Sequence, residues 1–152
     1  MVSFKKSGNE RRNIYTITIL GRQYTHYIKL CIESKQALTH MIDYTMPRIK
    51  SLLKNRSDKP EKDKLCDFVE KYWHYDNITN KSEKQFINSY KTWAKNKGYH
   101  QSESKALTIY ALAQQGIPTL DSNAPSTKML VLESVRVLRE IQKTLFIILL
   151  QM

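Results

Sequence analysis

The sequence is poor in residues that turn a chain. Four Gly and four Pro in 152 residues are too few for an all-β protein, which needs a turn about every 8–12 residues, so long helices are expected. Cysteine is nearly as scarce. Cys31 and Cys66 form no CxxC pair and fall inside apolar-periodic segments, which excludes a disulfide framework and predicts two reduced core thiols in a cytosolic protein. No apolar run comes near the ~20 residues of a membrane span; Leu145–Leu150 is six residues long. The N-terminus MVSFKKSGNERRN carries charge without a following apolar stretch, so no secretory signal is expected. A cytoplasmic protein with no membrane partner follows.

Catalytic motifs are missing too. The chain contains no P-loop, GxGxxG or GxSxG pattern. His26, His40, His74 and His100 stand at no metal-ligand spacing from one another or from a cysteine. Asp63 with Asp67, and Asp67 with Glu70, could share a helix face, but on a lysine-rich helix i,i+4 pairing with cations is the ordinary explanation. No metal, cofactor or small-molecule substrate is expected in this chain.

Positive charge is abundant. Lys and Arg number 25 against 14 Asp and Glu, a net +11, which favours an anionic partner over a merely solvated surface. The excess is uneven: residues 1–60 carry 12 basic and 4 acidic side chains, whereas 102–152 carry 5 and 4. The segment PRIKSLLKNRSDK concentrates Arg48, Lys50, Lys54, Arg56 and Lys59. Such side chains neutralise phosphates without reading base sequence, so these five are the candidate nucleic-acid contacts.

Periodicity predicts an all-α helical bundle. Two long heptad-patterned helices, about 20–45 and 126–152, flank three or four shorter ones. Leu20, Tyr24, Tyr27, Cys31, Ser34, Leu38, Met41 and Thr45 repeat at alternating intervals of four and three. Pro47 should end that helix and open a short one over 47–53. Further helices are predicted over about 61–73, 83–97 (capped by Ser82 and Gln85, stopped by Gly98) and 103–115, with 74–80 as a turn. In the last helix Val131, Val135, Leu138, Ile141, Leu145, Ile148 and Met152 form one stripe. Leu138, Ile141, Leu145, Ile148 and Met152 are the candidate oligomerisation contacts. Residues 1–18 are read as a weakly structured remnant with a strand-like alternation in NIYTITIL, and 19–152 as one domain.

The helices admit two other uses. The rings of YWHY (72–75) could stack on exposed bases, but they also continue a core stripe. Helix, glycine turn and helix over 83–115 fit a helix-turn-helix regulator, although 102–115 offers only Lys105 and Gln114–Gln115 to a groove.

Four stretches carry a family resemblance: GRQYTHYIKLCIESKQALTHMIDYTMPRIKSLL, LCDFVEKYWHYDNI, KTWAKNKGYHQSESKALTIYALAQQGIPTL and PSTKMLVLESVRVLREIQKTLFIILLQM. Together spanning about 20–152, they resemble the helical middle region of transposases of the insertion-sequence-110 family. Those are bacterial DNA recombinases with a RuvC-like acidic domain ahead of this region and a serine-bearing domain behind it. The resemblance implies DNA and a guide RNA as partners, and a homo-oligomer. Residues 1–18 offer only Glu10 as a carboxylate, and no serine matches the family's nucleophile. The expectation is a segment truncated at both ends and inactive in DNA transposition by itself; a divalent metal would belong to the missing acidic domain. A final helix with no stop signal after KTLFIILLQM fits a break within a helix.

Overall fold

The computed structural model describes the backbone of residues 2–54 and 62–152, and the side chains of 8–54 and 62–152. It is an all-α bundle, and the described residues include no strand. Helix α1 (Val2–Thr45) leads through a 3-10 turn (Ile49–Leu52) to α2 (Lys64–Tyr72). The short α3 (Asp76–Thr79), α4 (Glu83–Lys97), α5 (Glu103–Gln115) and long α6 (Pro125–Gln151) follow.

At 1.5 Å per residue α1 is about 66 Å long and α6 about 40 Å. The heptad seam of α1 is its packing face: Cys31, Leu38, Ile42 and Thr45 are buried. From α6, Val131, Val135 and Leu138 are buried against the same core. The two long helices pack on each other more extensively than any other pair in the molecule. Because α6 is shorter, cover runs out along α1: every described side chain from Gly8 to Ile19 is exposed.

Residues 1–18 were expected to be weakly structured, with NIYTITIL strand-like; the segment instead belongs to α1, which begins at Val2. Its alternating threonines have a local alternative to strand pairing. Thr16 and Thr18 donate to the carbonyls of Arg12 and Ile14 one turn back, at 2.9 and 2.8 Å, satisfying their hydroxyls within a helix.

The α1 C-terminus is closed by other segments. Tyr44 O accepts from the amides of Thr119 (2.9 Å) and Leu120 (3.1 Å), and Thr45 O from that of Tyr75 (3.3 Å), so its last carbonyls are not left bare. Pro47 does end α1, but it does not begin a new helix. Arg48 turns into the left-handed region at φ 72°, delaying the next turn to Ile49.

Beyond the turn, α2 starts at Lys64 rather than near 61, because the Asp63 carboxylate accepts the Cys66 amide at 3.1 Å and sets the cap there. It stops one residue early, at Trp73 with φ 38°. Residues 76–79 form one helical turn, α3, where only a loop was expected.

Two expectations match in detail. Ser82 and Gln85 form a reciprocal capping box on α4, and Gly98 ends that helix at φ 78°. The aromatics of the central helices form the core: Phe68 packs edge-on to Trp93 at 5.5 Å, and Tyr72 edge-on to Phe86 at 5.4 Å. Tyr72 and Tyr75 are each 1% exposed and His74 is 2% exposed, so these rings cannot stack on bases.

Candidate nucleic-acid interface

Of the five predicted phosphate contacts, Arg56 and Lys59 lie outside the described residues. Arg48, Lys50 and Lys54 are all exposed around the 3-10 turn, but they do not converge on one hollow. Arg48 borders a small cavity of about 270 Å³ beside Gln115 and Gly116. Lys50 donates to Thr39 Oγ1 at 3.3 Å and lines a separate hollow with Lys35, Lys54 and Asp63. Lys54 also reaches a third and larger space.

That space is a cleft of about 750 Å³ between the 3-10 turn, the start of α2 and the α4–α5 turn. Lys54, Lys62, Lys64, Lys105 and His100 line it, together with Ser51, Ser102 and Tyr99, and among the described residues no carboxylate does. Each cation arrives there for a local reason. Lys62 precedes the Asp63 cap, and its Nζ would lie 3.6 Å from a Cβ built on Gly98. Lys64 begins α2 and sits 5.8 Å over the Tyr99 ring. Lys105 lies in the first turn of α5, whose cap is Ser102 Oγ accepting the Lys105 amide at 3.1 Å. Its Nζ crosses to donate to Leu52 O at 2.9 Å, tying α5 to the 3-10 turn.

The wall carrying Tyr99 is anchored from behind. Tyr99 Oη donates to Asp67 Oδ2 at 2.5 Å, and Arg139 Nη2 donates to Asp67 Oδ1 at 2.7 Å. Arg139 Nε stands 3.2 Å from Glu70 Oε1, an ion pair without the alignment of a hydrogen bond. Burial, then the bond to Asp67, holds the Tyr99 phenol well above its ordinary pKa. Asp67 and Glu70, weighed as a metal-binding pair, both face this guanidinium. Asp63 caps α2. Among the described residues no group of three or more His, Cys, Asp or Glu could hold a metal ion, and no helix is long and apolar enough to cross a membrane.

The helix-turn-helix geometry of α4 and α5 lacks a cationic reading face. The exposed side of α5 presents Ser104, Leu107, Thr108, Ala111, Gln114 and Gln115, whereas Lys105 is turned to Leu52.

The five oligomerisation candidates divide. Leu138 is 2% exposed inside the core, so it cannot meet a second chain; its place in the stripe reflects packing on α1 and α2. Ile141 also packs against that core. Leu145 and Ile148 are half-buried, and Met152 is exposed. Exposed between the stripe positions are Phe146, Ile147, Leu149 and Leu150.

Comparison with protein-family models, curated proteins and solved structures finds no match to this chain.

Proposed function

We propose that this chain is a helical, non-catalytic segment of an insertion-sequence transposase that holds nucleic acid by its phosphate backbone and self-associates along its long helices. The transposase assignment rests on the resemblance of the four stretches quoted above. The nucleic-acid assignment rests on one observation: four lysines and a histidine line a cleft in which no described residue is a carboxylate, next to a turn bearing Arg48 and Lys50. On this reading DNA and a guide RNA are the partners, and the setting is the cytoplasm. Bond breaking would fall to portions outside this chain, since it needs clustered metal-binding carboxylates or an activated serine.

Fluorescence anisotropy with a labelled mixed-sequence DNA tests the reading. Binding should be independent of base sequence and weaken steeply from 50 to 200 mM salt, with a log–log slope of about 0.9 per phosphate contacted on duplex. Changing Arg48, Lys50 and Arg56 to Gln should flatten that slope. No binding to duplex or single strands at 50 mM salt would refute it. Base-specific binding lost on Gln114 substitution would instead favour a helix-turn-helix regulator.

A further inference from the structure

We propose that the cleft between the 3-10 turn, α2 and the α4–α5 turn seats the sugar–phosphate backbone of a single nucleic-acid strand, in preference to a duplex. The inference rests on the nucleic-acid reading above and assigns Lys62, Lys64, His100 and Lys105, none of which lies in the basic segment 47–59.

Depth carries the choice of ligand. Lys54, Lys62 and His100 are exposed at the rim, while Lys64 and Lys105 are half-buried. A volume of about 750 Å³ lies in the range of pockets that enclose a small molecule (roughly 300–1,000 Å³), more than a lone phosphate oxygen cluster needs. A duplex is convex and stiff, with a persistence length of ~50 nm; it can touch the rim lysines but cannot fold a phosphate inward. A single strand is flexible and can lower a phosphodiester with its sugar towards Lys105. The walls suit backbone rather than base recognition. Tyr99 is no free stacking platform, because Lys64 lies over its ring and Trp93 packs on it at 5.4 Å. Ser102 adds a hydroxyl that can donate to a phosphate oxygen, whereas the Ser51 hydroxyl already donates to Arg48 O. The described lining holds no Asn, Gln or Arg to form a bidentate pair with a base edge, so backbone contacts should dominate and binding there should be indifferent to sequence.

Four variants test this by anisotropy with a labelled single strand and its matched duplex. Lys54→Gln/Lys62→Gln removes two exposed rim cations. For single strands the slope is about 0.7 per contact, so losing two contacts should reduce the salt sensitivity between 50 and 200 mM by about sevenfold. Lys105→Gln should weaken single-strand binding more than duplex binding, and Lys105→Arg should restore it by keeping the charge and a donor for Leu52 O. Lys84→Gln/Lys95→Gln, two exposed cations of α4 outside the cleft, should leave the single-strand slope within the error of the unaltered chain. Unchanged single-strand binding in both cleft variants, equal loss in the α4 control, or tighter binding of duplex than of single strand would each overturn the cleft assignment while strand binding itself stands. Absence of binding by the unaltered chain to either nucleic acid would refute the proposed function instead.

Discussion

Asp67→Ala should destabilise the fold by about 2–3 kcal/mol. Asp67 is 7% exposed and its two oxygens serve different elements, one accepting from Tyr99 at the α4–α5 turn and one from Arg139 on α6. A hydrogen bond to a charged group is worth about 1.5–3 kcal/mol. The Tyr99 bond counts near the lower end of that range. The Arg139 side chain is 37% exposed, so water can replace part of its loss, and about 1 kcal/mol is the fair share. Alanine would also leave the Tyr99 phenol partly buried without its acceptor, while Arg139 would keep Glu70. Urea unfolding followed by tryptophan fluorescence, to which Trp93 packed on Tyr99 contributes, reads the effect. With m of about 2.5 kcal/mol/M, the midpoint should fall by about 1 M at unchanged m. Tyr99→Phe and Arg139→Gln close double-mutant cycles with Asp67→Ala and should each show coupling of at least 0.5 kcal/mol. A change below 0.5 kcal/mol for Asp67→Ala would mean that this carboxylate does not fix the back wall of the cleft.

Tyr90→Phe should leave stability unchanged or raise it by up to about 1 kcal/mol, because the Tyr90 hydroxyl is buried without a hydrogen-bond partner; a loss above 1 kcal/mol in urea unfolding would contradict this. Burial pushes Tyr90 up to about 12 and also raises Tyr72, Tyr75 and Cys66. Groups held protonated by the fold contribute stability that is fully present below their unfolded pKa, about 8.5 for the thiol and 10 for the phenols. That contribution is lost as pH rises towards the folded values, so the urea midpoint should decline from about pH 9 upward, less steeply in Tyr90→Phe. Gly116→Ala should cost about 1–3 kcal/mol in thermal or urea unfolding, since a Cβ there would stand 2.8 Å from Tyr75 Cδ2. Phe146, Ile147, Leu149 and Leu150 are 44–67% exposed on one helix end; changing Ile147 and Leu150 to Glu should reduce concentration-dependent association in sedimentation velocity, and equal association by the variant would exclude this surface.

The scaffold was legible where one signal acted without competition. Ser82, Gln85 and Gly98 are local cap chemistry with no tertiary rival, and α4 begins and ends where they say. The heptad seam of α1 was legible for a similar reason: a 4/3 repeat buries one face whatever lies opposite. NIYTITIL misled because period-two alternation and β-branched residues favour a strand only if an edge is available to pair. No described strand exists, and threonine hydroxyls can close on carbonyls one turn back, so helix propagation from the seam prevails. Leu138 misled differently. A stripe position has the same spacing whether it meets a neighbouring helix of its own chain or of another, and periodicity carries no information on which.

The cleft was illegible because its cations come from four places in the chain. Lys54 follows the 3-10 turn, Lys62 and Lys64 flank the α2 cap, His100 sits in a glycine turn and Lys105 opens α5. Charge counting favoured the first 60 residues, where basic side chains are dense in sequence. Density along a chain is not density in space, however: Arg48 stands apart from Lys50 and Lys54, while Lys54 meets single lysines from separate elements. What brings them together is a set of contacts with no sequence signature, namely Lys105 on Leu52 O and Tyr99 on Asp67, which draw α5 and the α4–α5 turn onto the 3-10 turn and α2. The same contacts bear on the recognition-helix reading of α5. The lysine that would probe a groove is turned to Leu52 O instead, so on the cleft proposal a phosphate contact by Lys105 would be made inward, on a strand that enters.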